Sequence, residues 1–539
     1  METNAQNKSR HLLFFAFRWK PSTKWKDTSA PLDKLLAALK ASGWEEEQHS
    51  LAKNFSEYNF FHDFTHSAIF RATDSTSSVW NFYKTLQGPF ILTLSNAALG
   101  TGQEGETTEF KLTILRCRLN IYEHGVGVLS LMLDNTEHAD PGQVLAINDL
   151  IRRLYPQYLD WNEGIRKPQR QGLLPIRVGM EPFIEDFSAY PVDNNRDQLT
   201  KRFLPRYILG LLGDGFKADP ADAGESDFVI EHEFDDRQFI VSCYLNAELS
   251  KQLSANKSDG EPAWLTDPFW YAYVFADKGE PSIKNKAMMA TQLEQATYPR
   301  WTEGGTFYGA SRYSFVSLAS PENGWVMGPM SGNYARLVEL CLMQRASVLR
   351  FREDAAEIAR QLPDSRQPRA LTEQIRRLYG EFIRFSNRFN FQEATTYEQG
   401  IELYDLLRRQ MRVDEQVGAL KAELQELHQY AAELHETARN RTLDWLTFLG
   451  AVFLIPTFLV SYFGFYDSWK TLWERCHILL FWTLAVGIGI AALVFYFGLL
   501  HRGGIWRAVG VVLLVAYMVV ALSMPLLLEW FPQWFGLSR

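Results

Sequence analysis

Between residues 11 and 320 the apolar positions come in short blocks separated by turn residues. LLFFAF (12–17), EFKLTILRC (109–117), GVLSLML (127–133), DFVIEH (227–232), FIVSCYL (239–245) and WYAYVF (270–275) are rich in branched and aromatic side chains and bounded by Gly, Asp and Asn, which predicts strands. Apolar residues at helical spacing intervene at 31–42 and 142–155. This alternation predicts an α/β domain over residues 1–330, built on a mixed sheet. The tracts TGQEGE (101–106), GDGFKADPADAGES (213–226) and QLSANKSDGEP (252–262) read as surface loops.

From about residue 332 the period becomes helical. Residues 333–361 and 369–390 are amphipathic, and the two prolines of LPDSRQP (362–368) between them predict a tight turn. A third helix is expected from about 396. On it Val413, Val417, Leu420, Leu424, Leu427, Ala431, Leu434 and Ala438 form an apolar seam with alternating 4-3 spacing. Residues 331–442 thus read as a helical hairpin and a long stalk helix, ~75 Å at 1.5 Å per residue. Such a seam predicts packing against further copies of the chain.

Apolar stretches follow at 446–463, 477–500 and 508–528, each close to the ~20 residues that a bilayer crossing takes. They predict a C-terminal α-helical transmembrane domain over 443–539. Arg439 and Arg441 precede the first stretch, and His501, Arg502 and Arg507 lie between the second and third, which predicts a multi-pass protein of a bacterial inner (plasma) membrane with its large N-terminal domain cytoplasmic. The polar start METNAQNKSR carries no hydrophobic signal-peptide core. Across the junction, Asn440, Leu443, Leu446, Gly450, Leu454, Thr457 and Ser461 recur every three or four residues and share one side of a continuous helix. That stripe predicts a pore lining, with a dewetting constriction from Leu443 to Leu454 and a hydrated vestibule at Thr457 and Ser461.

Charge refines the list of partners. The whole chain carries −8 and residues 443–539 carry +1, from five basic against four acidic side chains, which leaves −9 on residues 1–442. An acidic N-terminal part argues against a nucleic acid polymer as partner. Cys117, Cys243, Cys341 and Cys476 are isolated and suggest neither a disulfide framework nor a zinc knuckle.

The run RTLDWLTFLGAVFLIPTFLVSYFGFY (441–466) resembles the first transmembrane helix of CorA-type magnesium transporters, which has a Pro-x-Thr-Phe core and ends in Gly-Met-Asn. The order of parts is similar too, and the likeness covers about residues 396–500. The resemblance implies a homopentamer in contact with membrane lipid, a pore lined by the helix at 441–466, and Mg²⁺ or another divalent cation as transported or regulatory ion, with no other cofactor. Pro456, Thr457, Phe458 and Gly464 match its motif. Phe465 and Tyr466 stand where the family has Met and Asn, so the selectivity segment Gly464-Phe465-Tyr466 lacks the amide oxygen that holds hydrated magnesium. A third span at 508–528 is a second departure.

Two function classes follow. One is a CorA-like channel or transporter for divalent cations gated by the cytoplasmic domain. The other is a ligand-gated membrane effector of antiviral defence, similar to CorA-like proteins encoded beside type III CRISPR systems and answering a nucleotide second messenger. Residues 300–316, RWTEGGTFYGASRYSFV, suit an anionic or stacking ligand through Arg300, Trp301 and Arg312. His62-Asp63-x-x-His66 has metal-site spacing without a third-ligand motif, and His428 and His435 lie one heptad apart on the stalk among glutamates. No metal ligands are assigned. No P-loop, nucleophile elbow or dinucleotide fingerprint is present, and no catalytic constellation stands out, so no enzyme is expected.

Overall fold

The computed structural model describes residues 7–25, 30–49, 55–71, 77–95, 107–154, 158–161, 164–168, 173–178, 183–185, 204–234, 237–258, 260–277, 281–362 and 368–464. Its strands are β1 (Lys8–Pro21), β2 (Glu45–Glu46), β3 (Val79–Lys84), β4 (Pro89–Ser95), β5 (Thr107–Tyr122), β6 (Val126–Asn135), β7 (Tyr158–Trp161), β8 (Gly164–Pro168), β9 (Leu173–Val178), β10 (Phe183–Glu185), β11 (Phe216–Lys217), β12 (Phe228–His232), β13 (Phe239–Leu245), β14 (Thr297–Tyr298), β15 (Thr306–Ala310) and β16 (Ser314–Ala319). The helices are α1 (Pro31–Ala41), α2 (Phe55–Phe60), α3 (Asp63–Ile69), α4 (Pro141–Ile151), α5 (Arg206–Leu212), α6 (Ala247–Ser254), α7 (Pro268–Phe275), α8 (Lys286–Ala296), α9 (Met327–Ser331), α10 (Asn333–Gln361), α11 (Pro368–Arg388), α12 (Glu398–Met411) and α13 (Val413–Gly464).

A mixed sheet runs in the order β10-β9-β4-β5-β6-β1-β13-β16-β15-β14, with β3 also paired to β5 and β12 to β1. Most neighbours are antiparallel, whereas β13–β16 and β11–β12 are parallel. Strand β1 is central and buried on both faces, which explains its unbroken apolar run. Leu13, Phe15, Phe17 and Trp19 point into a core shared with Leu35 and Leu39 of α1 and Ile208 and Leu211 of α5. Helix α10 packs on β1 and β6, and also on α11 and α12. A second core gathers Tyr244, Trp270, Tyr273, Leu293, Phe307 and Leu318.

Five of the six expected strands lie within β1, β5, β6, β12 and β13. The sixth, 270–275, is helix α7. Asp267 caps it by accepting from the Trp270 N–H at 2.9 Å, and Pro268 occupies its first turn. Trp270 to Val274 are all buried, so the segment had no polar face by which its period declared itself. The turn-rich tract 101–106 lies outside the described residues.

The helix expected from about 396 onward is two helices. Arg412 adopts the left-handed conformation at φ 56° and separates α12 from α13. The chain divides into two compact units, Met1–Gln429 and Tyr430–Arg539, so α10, α11 and α12 belong with the sheet. The seam at the start of α13 is already filled within the chain: Val413, Val417, Leu420 and Leu424 are buried, and His428 stacks on Tyr379 of α11 at 4.6 Å.

Among the described residues no helix is long and apolar enough to cross a membrane. This overturns the expected transmembrane domain over 443–539, the channel built on it and the multi-pass inner-membrane location. Helix α13 is charged over its first half, and its described part ends at Gly464. The stretches 477–500 and 508–528 lie outside the described residues.

Candidate functional site

An open groove of ≈ 890 Å³ lies where α1 meets the loop that follows α5. Helix α1 turns Ala37, Ala38 and Ala41 toward it, small side chains that leave room beside the helix. Across from them α5 stops at Gly213, whose N–H donates to the Leu209 carbonyl at 2.8 Å. Gly213 has φ 120°, and a Cβ there would enter the van der Waals shell of Ser42 Oγ. Asp214 and Gly215 continue the lining, and Glu225 to Phe228 close it from the end of the β11–β12 connection and the start of β12.

Trp25 supplies the aromatic surface, with the buried Phe228 edge to face against it at 5.1 Å. The Trp25 indole N–H donates to the Asp227 carbonyl at 3.0 Å, and the Lys34 ammonium sits 4.9 Å from the ring centroid. Lys84 donates to the Ser42 carbonyl at 2.9 Å and to the Leu211 carbonyl at 3.1 Å, so its charge rests on the C-terminal ends of α1 and α5. Desolvation lowers its pKa. Asp214, Glu225 and Asp227 complete the charged lining, and Asp227 Oδ2 accepts from the Gly224 N–H at 2.8 Å. The groove thus offers flat aromatic surface, ammonium groups and carboxylates, which suits a planar ring with donor and acceptor edges joined to an anionic group.

A second polar assembly lies inside the fold, between the sheet and α10. Arg336 is 3% exposed and donates to Glu339 at 3.2 Å, with His49 at 3.3 Å and Glu57 at 3.9 Å. Glu339 also accepts from Asn120 of β5, which accepts from Asn81 of β3 at 2.6 Å. Arg118 of β5 pairs with Glu47 at 2.8 Å. Desolvation raises the Glu339 pKa against the pull of Arg336 and Arg118, and lowers that of His49 to about 4. Arg116 donates to the Ser331 carbonyl at 2.7 Å, and burial lowers it to about 9. This assembly ties α10 to the sheet in one register.

The residues expected to take a ligand are not gathered at one place. Arg300 lies in the 3₁₀ turn Pro299–Gly304 and pairs with Glu402 of α12 at 2.6 Å, while the neighbouring Trp301 is partly exposed. Arg312 sits in the turn at the other end of β15, about 17 Å away along five strand residues, with its carbonyl accepting from Arg345. His66 is turned to the Tyr58 carbonyl at 3.0 Å and His62 to Glu393 at 3.5 Å. Among the described residues no group of three or more His, Cys, Asp or Glu is placed to hold a metal ion.

Of the stripe expected to line a pore, Leu443, Leu446, Gly450 and Leu454 are exposed on α13, and Asn440, Thr457 and Ser461 fall on the same helix. Gly464 ends it, and Phe465 and Tyr466 lie outside the described residues. The groove residues Trp25, Lys34 and Lys84 were missed because they are distant in sequence. The Gly-Asp-Gly at 213–215 was the one local signal, and it read as part of a surface loop.

No family model, curated protein or solved structure matches this chain.

Proposed function

We propose that this chain is a ligand-controlled effector whose groove between α1 and the 210–228 segment receives a small molecule of the nucleotide class. The observation that carries this reading is the convergence of Trp25, backed by the buried Phe228, with Lys34 and Lys84 in one open groove. The base would stack on the aromatic surface, the phosphate would meet the ammonium groups, and the carboxylates would take ribose or base donors. Lys84 contacts the ends of both α1 and α5, so occupancy is felt by elements packed on the sheet. The sheet in turn carries α10, against which α11 and α12 lie.

For the output, the resemblance of 441–466 to CorA-type proteins supports control over movement of a divalent cation by an assembly of copies, five by that resemblance. An antiviral defence role answering a nucleotide messenger fits the same groove. No catalytic activity is proposed.

The test is titration of the full chain with mononucleotides and cyclic di- and oligonucleotides, read by tryptophan fluorescence and thermal shift. Trp25→Ala and Lys84→Met should each weaken binding at least tenfold while leaving the fold intact by circular dichroism. Equal binding by wild type and both variants would place the ligand elsewhere. Absence of binding to every nucleotide at millimolar concentration would remove this reading. Cellular magnesium, cobalt and nickel content, measured with and without the expressed chain, tests the output separately.

A further inference from the structure

We infer that the joint at Arg412 is a conformational switch, bent in the state described and able to straighten so that α12 and α13 become one helix over 398–464. The joint RRQMRVDEQ (408–416) contains neither Gly nor Pro. Arg412 nevertheless holds φ 56° and ψ 38°, a region that L side chains enter at a cost and that a through-going helix would vacate. The apolar register also runs on across the break, since Leu406, Val413, Leu420 and Leu427 fall seven residues apart. Local sequence therefore favours the straight helix, and tertiary contacts impose the bend.

Those contacts centre on Arg408. Its buried guanidinium donates to the Phe391 carbonyl at 2.7 Å, Gln344 Oε1 at 3.0 Å and Tyr404 Oη at 3.1 Å, and it pairs with the Asp414 carboxylate on the far side of the joint. In a continuous helix residues 408 and 414 are six apart and point to different faces, so this ion pair exists only when the chain is bent. It is a clamp across the hinge. Asp414 is half exposed and is the end that a partner or a change in neighbouring helices can reach. Gln344 belongs to α10, which links the clamp to the helix lying on the sheet.

Spin labels at Asp405→Cys and Lys421→Cys, in a chain with Cys476→Ser, report the angle directly, because Cys117, Cys243 and Cys341 are buried. A straight helix separates these backbones by about 24 Å, and the bent joint by less. Asp414→Asn should raise the population near 24 Å at least fivefold over wild type. Adding Arg412→Gly, which relieves the left-handed residue without touching the clamp, should lower that population again by about fivefold, back toward the wild-type value. A distribution unmoved by Asp414→Asn in folded protein overturns the proposal. So does a shift that Arg412→Gly fails to reverse, since the change would then not lie at the joint.

Discussion

Removing Arg336 offers the sharpest test of how α10 is fixed to the sheet. Its guanidinium is 3% exposed, faces Glu339 at 3.2 Å and has Glu57 at 3.9 Å. Arg336→Met keeps the aliphatic stem but leaves Glu339 buried beside Asn120 without its nearest cation. Breaking one side of a buried pair costs about 3–5 kcal/mol, roughly a fifth or more of the ~5–15 kcal/mol that holds a typical domain together. Arg336→Met with Glu339→Gln removes both charges and keeps an acceptor for Asn120, so it should cost only about 1–2 kcal/mol. A double-mutant cycle, completed with Glu339→Gln alone and followed by urea unfolding with tryptophan fluorescence, should therefore give at least about 2 kcal/mol of coupling. The pH dependence has a definite sign. Glu339 has a raised pKa in the folded state, so protonation favours the fold; loss of Arg336 raises it further, and the defect of Arg336→Met should shrink as pH falls from 8 to 5. A cost under about 1 kcal/mol, unchanged with pH, would refute the buried-pair argument.

Other expectations concern the core and the joint. His11 and His49 are lowered to about 4, mainly by desolvation, so each contributes up to about 3 kcal/mol that is present above pH 6.5 and lost as pH falls toward 4; His11→Gln should flatten that slope in urea midpoints measured from pH 7 to 4. Leu424→Asp should destabilise the chain itself by about 3 kcal/mol or more, because Leu424 is buried within it; an unchanged urea midpoint with altered mass in light scattering would show that the seam serves other copies instead. Gly213→Ala should cost about 1–3 kcal/mol through its positive φ and the approach of Ser42, measured by thermal unfolding. Arg412→Gly in the otherwise native chain should stabilise it by about 1 kcal/mol.

Periodicity made much of the secondary structure legible before any coordinates. Strands β1, β5, β6, β12 and β13 and helices α1, α10 and α11 sit where alternating or helical apolar spacing put them, because each has a face or a run whose burial is written locally. Segment 270–275 misled because all-apolar composition carries no period, and the deciding group was the side chain of Asp267, three residues before Trp270. The seam from Val413 was visible as a seam, but its partner was not: spacing says that a stripe needs cover, and only the fold decides that α10 to α13 of one chain supply much of it. The break at Arg412 has no local signal, since the clamp that holds it comes from residues 344, 391 and 404 as well as 414. The groove is the same kind of case. Trp25, Lys34, Lys84 and the segment from Gly213 to Phe228 meet because β3 and β12 lie in one sheet, and that meeting depends on contacts between residues about two hundred positions apart.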